Sequence, residues 1–269
     1  MHDYRARQRR LSQWLASRGG EAAVVIDFEG TRDRCLRYLC GHVGDALLFL
    51  FPGRPAADTL LVAWDVALAE RLAAVDRILP YEQYDRRLSR ALQAVLSERG
   101  TRSVQLSARL PFALVENLRA ALPEVNFTCR EDGLDSFLAG QRAVKDAAEI
   151  ACLRRACQIT NELLALVEER LKGGREASEV DLALLLEREA RLRGAEGMSF
   201  ATLAAGPRRS FAVHCHPPVT AGPFASAGLS ILDFGVSYEG YASDVTLTAL
   251  RGASSTAQRA MRQAVEDAY

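Results

Sequence analysis

Short apolar runs alternate with amphipathic stretches through the first half of the chain, and few folds accommodate that pattern. An amphipathic, charged segment comes first and predicts a helix. The apolar runs that follow have the length of strands and end at glycine, proline or charged residues: AAVVIDF (22–28), DALLFLF (45–51), DTLLVAW (58–64), SVQLS (103–107) and NFTCR (126–130). Helical patterns lie between them at 65–75, 82–99 and 111–121. We therefore predict an α/β (α+β) domain with a mixed sheet over residues 1–138.

A long helical segment begins the second predicted domain, residues 139–269. Its sequence, RAVKDAAEIACLRRACQITNELLALVEERLKGG, predicts one core-facing stripe: Ile150, Leu153, Cys157, Thr160, Leu164, Val167 and Leu171. A second helix is predicted to begin at Ser178, with Asp181 in the position of a capping box. The last segment, STAQRAMRQAVEDAY, predicts a helix without a stop signal at Tyr269. We therefore expect this domain to be incomplete.

Charge and composition argue against several classes of protein. Lys plus Arg and Asp plus Glu each number 34, so no basic excess is present for binding a nucleic-acid backbone. No apolar run reaches about eighteen residues, and the charged N-terminal segment lacks the apolar core of a signal peptide. We expect a cytoplasmic protein without a membrane segment. The six cysteines form no CxxC pair, which favours reduced and mostly buried thiols.

The segment ILDFGVSYEGYASDVTLT, residues 231–248, places an aspartate on each side of a short turn. A turn centred between Tyr238 and Glu239 would put Asp233 and Asp244 directly opposite each other. Alternation would then turn the neighbouring apolar residues toward the core: Leu232, Phe234, Val245 and Leu247. Opposed like charges destabilise a sheet unless a cation lies between them. The pair therefore predicts a divalent-metal site, or two solvated aspartates if the register differs by one residue.

The loop before this hairpin, RRSFAVHCHPP, contributes His214 and His216. A histidine in such a place can ligate a metal, or hold and protonate a substrate oxygen. We expect one of the two to serve a site, and the alternative for either is a solvent-facing loop residue.

These motifs resemble those of the pita-bread metallopeptidases, the superfamily of Xaa-Pro aminopeptidase, prolidase, creatinase and methionine aminopeptidase. The hairpin is similar to its first two metal-ligand signatures, AAGPRRSFAVH to its glycine-to-histidine substrate loop, and RAVKDAAEI to the start of its catalytic domain. RYLCGHVGDALLFLFPG resembles the creatinase-type N-terminal domain, which methionine aminopeptidases lack. The resemblance implies a creatinase-type domain over residues 1–138 and the first part of a pita-bread domain over 139–269, in the Xaa-Pro and creatinase branch.

The resemblance also implies roles for individual residues. Asp233 and Asp244 correspond to two metal ligands, the second of which bridges two divalent ions of manganese, cobalt or zinc. His214 is the better match to the histidine that contacts the substrate and stabilises the tetrahedral intermediate, and His216 is the alternative. In the family, a hydroxide shared by the two ions attacks the scissile carbonyl.

The chain departs from the family pattern in two ways. Leu247 stands where the family usually has arginine, in its Asp-x-Thr-Arg-Thr motif, and this change alters the support of the ligands. The family's other ligands, a histidine and two glutamates, lie further along the chain than Tyr269. We therefore expect a metallopeptidase presented without its complete metal site.

Three functions agree with these features. The first is a metallopeptidase that hydrolyses an N-terminal Xaa-Pro bond in its full-length form, with two divalent metal ions. The second is a non-catalytic member that binds peptides or acts as a scaffold, although retention of both aspartates argues against it. The third is a creatinase-like hydrolase of a C–N bond in a small molecule. The expected partners are a peptide or small-molecule substrate and, since homodimers are common among similar proteins, a second copy of the chain.

Overall fold

The computed structural model describes residues 2–53, 58–173 and 177–268, and the chain forms two compact units, Met1–Lys145 and Asp146–Tyr269. The boundary predicted at residue 138 falls inside a helix of the first unit, Ser136–Ala143. The second unit starts at a capping box. The Asp146 carboxylate accepts from the Glu149 N–H at 2.8 Å, and the Glu149 carboxylate accepts from the Asp146 N–H at 2.9 Å.

The first unit is built around one six-stranded mixed sheet. Its strands are β1 (Ala22–Asp27), β2 (Ala46–Phe51), β3 (Asp58–Ala63), β4 (Arg77–Pro80), β5 (Ser103–Leu106) and β6 (Asn126–Cys129). Their order is β4-β3-β2-β1-β5-β6, antiparallel from β1 through β2 to β3 and parallel elsewhere. The strands predicted from the sequence are all confirmed. Strand β4 was not predicted, because its residues are half-exposed and show no apolar run.

Helices cover both faces of this sheet. They are α1 (Tyr4–Ser17), α2 (Arg34–Cys40), α3 (Val66–Leu72), α4 (Leu88–Glu98), α5 (Phe112–Ala121) and α6 (Ser136–Ala143). Val24 and Ile26 of β1 pack in a core with residues of α4 and α5, whereas Ala23 and Val25 pack on the other face with residues of α1, α2 and α6. The unit is therefore a three-layer domain, and the predicted α/β class with a mixed sheet is confirmed.

The second unit packs two helices against two small antiparallel sheets. Its elements are α7 (Ala147–Lys172), α8 (Glu179–Leu192), β7 (Gly197–Met198), β8 (Leu203–Ala205), β9 (Gly228–Phe234), β10 (Val236–Tyr238), β11 (Tyr241–Ala242), β12 (Val245–Arg251) and α9 (Thr256–Ala268). The sheets have the orders β11-β10-β7 and β12-β9-β8. Residues of α7, α8, β9 and β10 share one core. None of the helices in the described parts of the chain has the length and apolarity needed to cross a bilayer.

The buried stripe of α7 lies about one residue away from the predicted one. Ile150 and Cys157 are exposed, and the buried positions include Cys152, Ala156, Ile159, Thr160, Leu163 and Val167. Thr160 and Val167 of the predicted stripe are buried as predicted, and the Thr160 hydroxyl is hydrogen-bonded to Ser243 Oγ at 2.6 Å. The buried row also contains Ala156, a small residue that the apolar pattern did not select.

Most cysteines are buried, as predicted. Cys35, Cys40, Cys152 and Cys215 are buried, Cys129 is half-buried and Cys157 is exposed. Burial raises the pKa of the Cys35 and Cys40 thiols to about 12. These two thiols therefore stay protonated at neutral pH.

Candidate metal centre

The turn between β10 and β11 sets the register of the hairpin that contains the two aspartates. Glu239 has a φ of 49° and Gly240 a φ of 81°, as both central residues of a type I′ turn require. The turn is therefore centred between Glu239 and Gly240, one residue later than predicted. Glycine at the second central position, which tolerates positive φ, is the sequence signal for this placement.

Asp233 consequently pairs with Thr246, and not with Asp244. In the register of β9 and β12, Asp233 lies opposite Thr246. Thr246 Oγ1 donates to Asp233 Oδ1 at 3.0 Å. Asp244 lies two residues before Thr246, so it is a diagonal neighbour of Asp233, and such neighbours are about 7–8 Å apart in a regular sheet. The prediction of directly opposed carboxylates is wrong.

The opposite face of the hairpin is turned toward the core, as predicted. Leu232 and Phe234 are buried, and Val245 and Leu247 pack partly buried against the same core. Leu247, in the position where the resemblance leads one to expect arginine, therefore contributes apolar burial. Any support for the ligands must come from other residues, such as Thr246.

Close backbone contacts hold the chain beside Asp244. A Cβ on Gly235 would lie 1.9 Å from the Ser243 carbonyl oxygen, so only glycine fits between β9 and β10. The Ser243 N–H donates to the Val236 carbonyl at 2.9 Å, and the Ser243 hydroxyl accepts from the Val236 N–H at 2.9 Å. The position of Asp244 is thus fixed by its buried neighbour Ser243, and its own side chain is exposed.

Asp233 and Asp244 offer carboxylate oxygens, the type of ligand atom that divalent metals bind. Asp233 is half-buried and Asp244 exposed, and neither forms an ion pair with any residue that the structure describes. Hard divalent cations take carboxylate oxygens, and would neutralise the like charges. These two aspartates alone do not form a complete ligand set for a metal. In residues 2–53, 58–173 and 177–268, neither aspartate belongs to a group of three His, Cys, Asp or Glu ligand atoms within 4.8 Å of one another.

Glu179 binds both ends of the histidine loop, residues 206–220. This residue, 2% exposed, lies in the first turn of α8. Its Oε1 accepts from the Gly206 N–H at 2.8 Å, and its Oε2 accepts from the Thr220 N–H and hydroxyl at 2.8 and 2.6 Å. The Arg209 guanidinium also donates to Oε2. One buried carboxylate therefore fixes the geometry of the loop that contains both candidate histidines.

The two candidate histidines do not differ in burial class. His214 and His216 are exposed, and Cys215 between them is buried, with its thiol 3.1 Å from the Arg209 carbonyl oxygen. Within the described residues, neither histidine joins Asp233 or Asp244 in a group of three ligand atoms. The role of His214 and its preference over His216 stay predictions.

Two family models match the chain. The model of the creatinase/prolidase N-terminal domain matches residues 7–144, which is half of the chain, and the model of metallopeptidase family M24 matches residues 151–269. The chain belongs to family M24, in the branch with the creatinase/prolidase N-terminal domain. The resemblance found in the hairpin and its neighbouring motifs is thereby confirmed.

Two relatives of this M24 chain are named dipeptidases. The chain is 26% identical over 254 residues to a putative dipeptidase of Bacillus subtilis, covering 90% of the chain and 65% of that protein. It is 27% identical over 171 residues to an Xaa-Pro dipeptidase of Pyrococcus horikoshii, covering 63% of the chain and 46% of that protein. The chain thus spans less than two thirds of the length of these relatives.

Solved structures confirm the fold of the M24 chain. An X-Pro aminopeptidase from Thermotoga maritima matches with a TM-score of 0.81 and 22% identity, over 97% of this chain and 69% of that one. The prolidase from Pyrococcus horikoshii matches with a TM-score of 0.80 and 18% identity, over 98% of this chain and 70% of that one. The predicted succession of a creatinase-type domain with a mixed sheet and a pita-bread portion is therefore confirmed.

Proposed function

We propose that the protein is a metal-dependent peptidase that hydrolyses an N-terminal Xaa-Pro bond, as an Xaa-Pro aminopeptidase or dipeptidase. One observation carries the proposal. Asp233 and Asp244 lie as diagonal neighbours on the hairpin, without a basic partner among the described residues, in a chain of family M24. An Xaa-Pro dipeptidase among the relatives supports the choice of substrate.

In this proposal, Asp233 and Asp244 would supply two of the ligands for two divalent ions, for which manganese, cobalt and zinc are the candidates. When bound, the ions would polarise the scissile carbonyl and activate water for attack. The Thr246 hydroxyl orients the Asp233 carboxylate through its bond to Oδ1. His214 would contact the substrate and supply a proton to its oxygen. The buried Glu179 carboxylate holds the ends of the loop and so limits where the imidazole can lie.

The test combines metal binding with hydrolysis in the protein from its native source and in its variants. Asp233→Asn and Asp244→Asn should each weaken Mn²⁺ binding by titration calorimetry about 10-fold or more and abolish release of proline from Ala-Pro. Asp267→Asn, which removes an exposed carboxylate of α9, is the matched control and should change neither. Full activity in either hairpin variant would refute the metal assignment.

A histidine pair of variants tests the loop separately. His214→Ala should lower kcat strongly while Mn²⁺ affinity stays unchanged, because its proposed role is toward the substrate and not the metal. His216→Ala is its control, two residues away and equally exposed. The reverse pattern would assign the role to His216.

Non-catalytic peptide binding is the second candidate. The sequence analysis left it open, with the retention of Asp233 and Asp244 as the argument against it. A binding protein would retain an Xaa-Pro peptide without cleaving it, and chelation of divalent metals would leave its affinity unchanged. The creatinase-like hydrolysis, the cytoplasmic location and the homodimer stay predictions from the sequence.

A further inference from the structure

A cleft lies where two parallel strands of the first unit end. Strands β1 and β5 are parallel neighbours, and their last residues are Asp27 and Leu106. The segments that follow them, together with α6, enclose about 310 Å³. Small-molecule sites occupy about 300–1,000 Å³, and α/β sheets bind ligands beyond the carboxyl ends of their parallel strands. The cleft therefore has the size and the place of a ligand site.

Four arginines and one aspartate line this cleft. One of the arginines, Arg32, already forms ion pairs with Asp27 and Asp45. The lining aspartate, Asp33, accepts from the Cys35 N–H at 2.8 Å and so serves the start of α2. A carboxylate that accepts an N–H bond still carries its charge, so the residues that line the cleft present four arginines against one aspartate.

Arg34, Arg109 and Arg142 line the same cleft without an acidic partner. In the described part of the chain, none of them forms an ion pair. The side-chain contact of Arg142 is with the Cys35 sulfur at 3.8 Å. Arg34 and Arg109 are exposed and Arg142 is half-buried. Three unpaired positive charges around one cleft repel one another, and a bound anion would relieve that repulsion.

We propose that this cleft binds the phosphate group of a small molecule through Arg34, Arg109 and Arg142. A guanidinium presents planar, paired N–H donors that match the oxygens of a phosphate. The Ser107 hydroxyl at the cleft donates to Asp135 Oδ1 at 2.8 Å, so the arginines supply the specific donors. All the residues that line the site belong to the first unit.

Titration calorimetry with inorganic phosphate and with glycerol phosphate, in metal-free buffer, tests the site. We expect a Kd of about 1 mM or tighter for at least one of them. Arg34→Gln and Arg109→Gln should each weaken binding about 10-fold or more, because each removes charge-assisted hydrogen bonds. Arg10→Gln makes the same charge change at an exposed arginine of the same unit outside the cleft, and should leave the affinity unchanged. Arg109→Lys keeps the charge without the paired donors and should weaken binding less than Arg109→Gln.

The outcomes of the titrations distinguish a site for a phosphorylated metabolite, a site for inorganic phosphate and no phosphate site. Tighter binding of glycerol phosphate would assign a phosphorylated metabolite, and equal binding would assign inorganic phosphate. No binding to the unmodified protein, or equal affinity in Arg10→Gln and Arg109→Gln, would overturn the proposal. Equal melting temperatures of the Arg10, Arg34 and Arg109 variants show that a loss of binding is not a loss of folding.

Discussion

Thr220 donates two hydrogen bonds to the buried Glu179 carboxylate, from its N–H at 2.8 Å and from its hydroxyl at 2.6 Å. Gly206, at the other end of the histidine loop, donates to the same carboxylate at 2.8 Å. The loop is therefore closed by a residue outside it. Its conformation depends on α8 as much as on its own sequence.

Glu179→Gln should destabilise the second unit by about 3 kcal/mol, because it breaks a buried pair with Arg209 and turns one acceptor into a donor. Urea unfolding measures the change, and limited proteolysis should show faster cleavage within residues 206–220. Glu187→Gln is the control, since Glu187 lies on the same helix in an exposed pair with Arg191. Its effect should stay within about 0.5 kcal/mol. Equal stability of the two variants would contradict the role of Glu179.

Thr246→Val should weaken Mn²⁺ binding about 10-fold while the fold stays intact, because it removes the hydroxyl that orients Asp233 and keeps the side-chain shape. Thr248→Val is a matched control on the same exposed face of β12, two residues further on. Calorimetric titration of both variants checks the prediction. Equal affinities would mean that Thr246 does not support the metal site.

Gly235→Ala should destabilise the second unit by about 3 kcal/mol, because the new methyl group would meet backbone that cannot move away. The Cβ would lie 1.9 Å from the Ser243 carbonyl oxygen and 2.5 Å from Ser199 Oγ. Urea unfolding followed by circular dichroism measures the loss. Gly140→Ala in helix α6 is the contrasting variant, since a Cβ there has nothing within 4 Å, and it should stabilise the first unit by about 0.5–1 kcal/mol.

Asp76 should make the stability of the first unit depend on pH. Burial raises the pKa of its carboxyl, but hydrogen bonds from Thr59 and Arg5 outweigh burial and hold the pKa below its usual value. The stabilisation is therefore complete above the unfolded pKa of about 3.9 and disappears as the pH falls through the lower, folded pKa.

Unfolding by urea across a pH series tests this expectation with Asp76→Asn. The variant should be less stable than the unmodified protein at about pH 6, and the difference should shrink as the pH falls through the lowered pKa of Asp76, below which both side chains are neutral. A difference that stays constant across the series would show that the charge of Asp76 has no part in it.

Local sequence patterns predicted five of the six strands of the first unit, because each of those five carries its own apolar signal and β4 does not. Strand β1 is a continuous apolar run buried on both faces, so its composition alone identifies it. Helices α2 and α6, of seven and eight residues, were not predicted from the sequence. The buried row of α7 depended on the surfaces packed against it, which the helix sequence does not contain.

The site was less predictable than the fold, because its geometry depends on contacts between distant segments. Asp233 and Asp244 were singled out as candidates from their residue types, but their register followed the turn at Gly240. Glu179 was not singled out, since an acidic residue in the first turn of a helix is ordinarily explained by the helix dipole. Its burial and its bonds to residues 206 and 220 become visible only when the loop is folded.

The turn at Glu239 and Gly240 lies outside the proposed ligand pair Asp233 and Asp244, yet its length is as consequential as either aspartate. Insertion of one residue there would slide β12 against β9 and turn Asp244 and Thr246 toward the core, because side chains alternate between faces. Natural selection that preserves the carboxylates must therefore also preserve the number of residues between the strands. Relatives that retain both aspartates are expected to retain a two-residue turn, or to offset any insertion with a bulge in the opposite strand.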